Sequence, residues 1–151
     1  MKVAKPPNTY KYEHPTIFLG GSIEMGAAVD WQTRLTNDLK DYKGLILNPR
    51  RDDWDSSWVQ DPKPGTKFEE QVTWELEGQE ISDLKIYYFD EKTKSPITLM
   101  EVGLYAEAND TIVCCPKEFW RYGNVAVVCE RYGVTLVHTY EDMLEEIKRQ
   151  L

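Results

Sequence analysis

A chain of 151 residues can bury roughly 70% of its unfolded surface in one domain, so it needs neither a disulfide nor a metal to hold together. Its formal charge of -8 sets it against nucleic-acid polymers and anionic membranes, whose phosphates it would repel, and favours a small neutral or weakly charged partner. Cys114, Cys115 and Cys129 are odd in number, lack a CxxC spacing and have only His14 and His138 to assist them; reduced thiols in a cytoplasmic compartment are expected, and no zinc or other metal site. No apolar run approaches the roughly 20 residues of a membrane helix, and the N-terminus lacks a signal-peptide core, so a soluble intracellular chain is expected.

Residues 1–14, with Lys5, Pro6, Pro7 and Asn8, read as an extended arm without a core pattern, and residues 15–151 as a single domain. Thr16 to Leu19 is a buried strand ended by a Gly20-Gly21-Ser22 turn. Apolar residues at helical spacing predict a helix over 27–42, and Leu45 to Leu47, stopped by Asn48-Pro49, predict a second strand. Residues 50–66 are too irregular for an element and unusually aromatic, the profile of a functional loop. A helix follows over 67–81, then a strand over 84–89. Ser95 as cap and Pro96 at the first helical position open the next helix, which carries Glu101. Strands over 111–115 and 134–137 flank a helix over 123–132, and Thr139 caps a last helix reaching Leu151. Strands alternating with helices of this length imply an α/β three-layer domain around a five-stranded parallel sheet.

Glu101 stands out chemically. Ile97, Leu104, Tyr105 and Ala108 surround it at helical spacing, which predicts a buried face on which an ionised carboxylate is costly unless it is paired or used. Its helix starts at the carboxyl edge of a sheet, where open α/β proteins bind ligands. Gly20, Gly21 and Ser22 offer backbone that a sugar or phosphate can approach closely, although a Gly-Gly turn is as often structural. Asp83 reads first as a helix-to-strand turn residue. The loop from Asn48 to Trp54 sets aromatic, carboxylate and guanidinium groups together, chemistry suited to a flat heterocycle or to a salt-bridged surface loop; Arg50 and Arg51 either bind a phosphate or pair with Asp52 and Asp53.

Thr16-Ile17-Phe18-Leu19-Gly20-Gly21-Ser22, Leu47-Asn48-Pro49-Arg50-Arg51, Ser82-Asp83, and Ser95-Pro96-Ile97-Thr98 leading into Glu101-Val102-Gly103-Leu104-Tyr105-Ala106 resemble, in this order over about residues 15–137, the nucleoside 2-deoxyribosyltransferase family in its second branch. The resemblance implies a flavodoxin-like fold, no cofactor, deoxynucleosides and nucleobases as partners, and a homo-oligomer with shared active sites. It implies an enzyme moving 2-deoxyribose between nucleobases; relatives hydrolyse deoxynucleosides or their 5′-monophosphates, and a noncatalytic nucleotide-binding module is the further alternative. By resemblance Glu101 is the nucleophile, Asp83 orients or protonates the base, Gly21 and Ser22 lie beside the sugar, and Asn124 is offered to the sugar by a partner subunit. Ser95 stands where well-known members carry a base-binding Asp, which shifts base recognition towards Asp53 and Trp54. Those members also use a tyrosine near the first strand; Phe18 lacks the hydroxyl, and Tyr10 and Tyr12 are the candidates to supply it.

Overall fold

The computed structural model describes residues 1–23, 29–53, 55 and 57–151. In chain order the elements are β1 (Lys2–Ala4), β2 (Thr16–Gly21), α1 (Trp31–Asp38), β3 (Leu45–Leu47), α2 (Lys67–Ile81), β4 (Leu84–Tyr88), α3 (Pro96–Tyr105), a 3-10 turn (Ala106–Ala108), β5 (Thr111–Cys114), α4 (Tyr122–Tyr132), β6 (Thr135–Val137) and α5 (Tyr140–Gln150). The sheet is parallel and has six strands in the order β1-β3-β2-β4-β5-β6, not five. The additional strand comes from the N-terminal arm: Lys2, Val3 and Ala4 pair with Leu45, Ile46 and Leu47. An edge strand this short has too little apolar periodicity to announce itself, because main-chain pairing rather than side-chain burial places it.

Alternation along the strands divides the core. Ile17, Leu19, Ile46, Ile86 and Ile112 pack under α1 and α5, against Trp31, Leu35, Met143 and Ile147. On the opposite face Tyr87, Phe89 and Val113 meet Val102 of α3 and Val125 and Cys129 of α4, while Phe18, Leu45 and Leu47 meet Trp74 of α2. Helix starts follow local chemistry. Thr66 accepts the Glu69 amide hydrogen at 3.1 Å, and Glu69 reaches back to the Gly65 amide, a reciprocal cap for α2. Thr139 caps α5 through the Asp142 amide, as its sequence position predicts. Helix α1 is shorter than the predicted 27–42; Ala27 and Ala28 lie outside the described residues.

The sheet order places a topological switch between β2 and β4: the chain leaves β2 for β3 on one side, and everything from β4 onward builds on the other. A crevice forms at such a point, at the carboxyl ends of the strands. Gly20 and Gly21 end β2 inside the strand rather than in a turn, paired with Tyr87 and Tyr88. A Cβ on Gly20 would sit 2.5 Å from the Tyr87 ring, and one on Gly21 would sit 2.4 Å from the Tyr88 carbonyl oxygen. Both glycines therefore have a reason within this chain: they let β4 and its tyrosines close against β2.

Candidate active site

Helix α3 carries Glu101 into the interior at 7% exposure, beside buried Thr98 and Val102. Tyr105 of the predicted buried face packs partly buried against the core, but Ile97, Leu104 and Ala108 are turned outward. Ile97 and Leu104 are 57% and 58% exposed, and with Met100 they form an apolar stripe on the outside of the helix. Because α3 is apolar nearly all round, hydrophobic spacing cannot choose its inward face. Packing against α2 and β4 decides it.

Glu101 Oε1 accepts a hydrogen bond from Gln79 Nε2 at 3.1 Å, and Gln79 Oε1 accepts the Tyr87 hydroxyl at 2.5 Å. One turn earlier on α2, half-buried Glu75 accepts from Gln71 Nε2, which also donates to the Pro49 carbonyl at 3.0 Å. Desolvation pushes Glu75 up to about 7 against the opposing bond from Gln71. Desolvation first, and then the charge of Glu75, push Glu101 up to about 8 against the bond from Gln79. The two carboxyls titrate as a pair, and near neutrality the pair retains a proton. Burial, with Glu101 as the next contributor, raises the Tyr87 phenol, which stays a donor. Sequence spacing missed Glu75, Gln79 and Tyr87. The signal was present in α2, whose buried positions include Gln71 and Gln79 where a core-facing helix would ordinarily place aliphatic residues.

The raised pair has a thermodynamic consequence. Each folded carboxyl binds protons more tightly than its unfolded form near 4.5, so this contribution is fully present below about pH 4.5 and is lost as pH rises to about 8. Urea midpoints should therefore fall between pH 5 and 8. The double variant Glu75→Gln/Glu101→Gln should flatten that decline, and an equal slope in both proteins would contradict the shared buried pair.

At the switch point itself, Ser22, Thr93 and Ser95 are buried and joined by their hydroxyls: Thr93 Oγ1 lies 2.9 Å from Ser22 Oγ and 2.8 Å from Ser95 Oγ, and Ser22 and Ser95 are in direct contact. Ser22 Oγ also accepts the Asp90 amide hydrogen at 3.0 Å. Ser95 does not cap α3 with its side chain. It adopts a left-handed conformation (φ 46°), and its hydroxyl turns to Ser22 and Thr93 instead. This cluster fastens the end of β2 to the approach to α3.

Other predicted residues are not brought to Glu101. Asp83 precedes β4, at the amino edge of the sheet, where it accepts from the Thr16 amide at 2.7 Å and the Tyr12 hydroxyl at 2.8 Å and lies 3.2 Å from His14. Partial burial alone would raise Asp83, but these partners hold it below its ordinary value. Tyr12 is thereby committed to the far edge, and Tyr10 packs edge-on against Trp74 with centroids 5.5 Å apart. In the loop, the Arg51 guanidinium is buried, bonded to both oxygens of Asp53 at 2.8 and 3.1 Å, and lies over the Trp58 ring. Asp52 pairs with Lys5, and Arg50 lies 3.5 Å from Asp30, so the salt-bridged reading of this loop holds for Arg51 and Asp53. Trp54 lies outside the described residues. Asn124 is exposed near the start of α4, a position from which it can reach another molecule. Surface depressions of about 370 and 360 Å³ flank the N-terminal segment, and neither is lined by Glu101. Among the described residues no group of three or more His, Cys, Asp or Glu side chains is placed to hold a metal, and no helix is long and apolar enough to cross a membrane.

A sequence-family match covers residues 14–119, from just before β2 to past β5, and is described as "Nucleoside 2-deoxyribosyltransferase like". The chain belongs to the nucleoside 2-deoxyribosyltransferase-like family. No curated protein matches it significantly. Among solved structures it is similar to a conserved protein from Enterococcus faecalis V583, with a TM-score of 0.65 and 17% identity, over 90% of this chain and 98% of that one. At that identity the likeness establishes the fold: the parallel-sheet α/β architecture is shared. The nucleoside 2-deoxyribosyltransferase-like domain thus sets a hydroxyl cluster at the end of β2 and, between α2, α3 and β4, a carboxyl pair with an amide-phenol support.

Proposed function

We propose that this protein transfers 2-deoxyribose between nucleobases through a covalent ester on Glu101, with hydrolysis as the outcome when water replaces the incoming base. The carrying observation is the pair of half-buried Glu75 and buried Glu101, two electrostatically coupled carboxyls raised towards neutrality in a transferase-like domain. In the first step the reacting form is the less populated tautomer of the pair, with Glu101 ionised and the proton on Glu75, since the free pair holds its proton preferentially on Glu101; a Glu101 carboxylate oxygen then bonds to C1′ of the deoxynucleoside. The C1′–N bond breaks, its electron pair passes to the base nitrogen, and the base takes up the proton held by Glu75. In the second step an incoming base, losing its N–H proton to Glu75, displaces Glu101 from C1′; two inversions give net retention. Asp83, anchored at the opposite edge, takes no part, and the proton role falls to Glu75. Incubation with deoxyinosine and adenine, followed by chromatography, tests the reading. New deoxyadenosine is expected; free hypoxanthine alone would make the enzyme a hydrolase, and unchanged substrate across all four deoxynucleosides and their monophosphates would overturn the proposal.

The functional unit is proposed to be a dimer or a higher homo-oligomer. Ile97, Met100 and Leu104 expose an apolar stripe on the helix that carries Glu101, and a Cβ on Gly103 would have no neighbour within 4 Å. Glycine inside a helix costs about 1 kcal/mol relative to alanine, a cost that close approach of a second chain would explain. Asn124, exposed on α4, is the residue offered to a neighbouring sugar. Mixing inactive Glu101→Gln with inactive Asn124→Ala should restore part of the activity through hybrid sites. Proven subunit exchange without recovery, or a fully active monomer by light scattering, would refute the shared site.

A further inference from the structure

Gln79 is completely buried, and both ends of its amide face groups that dictate its orientation. Its Oε1 accepts the Tyr87 hydroxyl at 2.5 Å, while Nε2 donates to Glu101 Oε1 at 3.1 Å and to the main-chain carbonyl of Glu75 at 3.1 Å. Both amide hydrogens are thus used. Reversing the amide would set its oxygen against the Glu75 carbonyl and, whenever Glu101 is ionised, against that carboxylate as well, acceptor-to-acceptor contacts in a buried position. Tyr87 in turn occupies its place because Gly20 has no Cβ where the ring passes. A line of contacts therefore runs from β2 through β4 and α2 to one oxygen of the buried carboxyl on α3.

We propose that Gln79, locked by Tyr87, is a positioning residue for Glu101: it occupies one carboxyl oxygen, leaves the other to meet the electrophilic carbon, and favours the ionised form. The inference rests on Glu101 as the reacting carboxylate. Among the described residues, the titratable groups facing Glu101 are Glu75 from α2, Tyr87 from β4 and Tyr105 from its own helix, with the Lys85–Asp110 pair further along the same face of β4. Glu75 opposes ionisation of Glu101, and the amide of Gln79 acts the other way. Losing Gln79 would leave the anion with burial and a like charge, and no compensating donor.

The test uses full-length protein carrying ¹³C-labelled glutamate, so that the Glu101 carboxyl can be titrated by NMR and assigned by its disappearance in Glu101→Gln. In Gln79→Met the midpoint should rise by about one pH unit, the scale of one charge-assisted hydrogen bond, and in Tyr87→Phe by less. The double variant should go no further than Gln79→Met, because Tyr87 acts through Gln79. Turnover should fall about tenfold with KM nearly unchanged, and the rising limb of the pH profile should move up with the NMR midpoint. Tyr87→Phe preserves the ring, so it keeps the test intact should Gln79→Met fail to fold. A folded variant with an unmoved midpoint, or additive effects in the double variant, overturns the relay even in an active enzyme. A midpoint that moves in a protein that turns over no deoxynucleoside supports the relay and rejects the assigned reaction instead.

Discussion

Glu101→Gln lowers deoxyribosyl transfer by about three orders of magnitude or more, a rise of at least ~4 kcal/mol in the barrier. The amide keeps the shape of the side chain, and its oxygen can still accept the Gln79 N–H bond that holds Glu101 Oε1 at 3.1 Å. What it lacks is the anion that bonds to C1′, so no ester forms and both half-reactions stop. The fold should persist, and above pH 8 the variant should be at least as stable as the parent, because a neutral amide carries no desolvation penalty for a buried charge. Steady-state assays beside urea unfolding separate the two effects. Retention of more than about a tenth of the activity, a barrier difference of about 1.4 kcal/mol or less, would remove Glu101 from the nucleophile's role.

The parts of the molecule legible in the sequence are those where one physical signal dominates. The run over 67–81, bounded by a turn and the next strand, is found as α2 with those limits, and Thr139 caps the last helix as its spacing to Asp142 suggests. Glu101 was legible because a carboxyl in an apolar run is costly wherever the helix turns. Its surroundings were not, since Ile97 and Leu104 face outward and the inward neighbours are Thr98, Val102 and, across the helix pair, Gln79. The support for Glu101 comes from polar residues on two other elements, and no local period marks residues that meet only in three dimensions. Ser95 shows the same limit: its sequence position suits a cap, but tertiary contacts with Ser22 and Thr93 redirect its hydroxyl. Asp83 was read by analogy with relatives, and the parallel sheet puts it at the edge opposite the crevice.

Glu75→Gln separates a proton carrier from a merely buried carboxyl. If Glu75 delivers the proton to the departing base, the variant should lose about 10²- to 10³-fold in transfer from deoxynucleosides whose base must be protonated to leave. Substrates with leaving groups that depart as stable anions should suffer much less. The pH profile carries a second signature. In the wild type, attack needs an ionised Glu101 and departure needs a protonated Glu75, so activity rises and then falls with pH through the range where the pair titrates. Glu75→Gln removes the falling limb, because the remaining amide no longer titrates. It also moves the rising limb to lower pH, because the Glu75 charge that raises Glu101 is gone. A purely structural Glu75 would still move the rising limb, since its charge acts on Glu101 either way, but would leave the falling limb and the leaving-group dependence where they were, and that result would return the search for the proton donor to the hydroxyls of Ser22, Thr93 and Ser95.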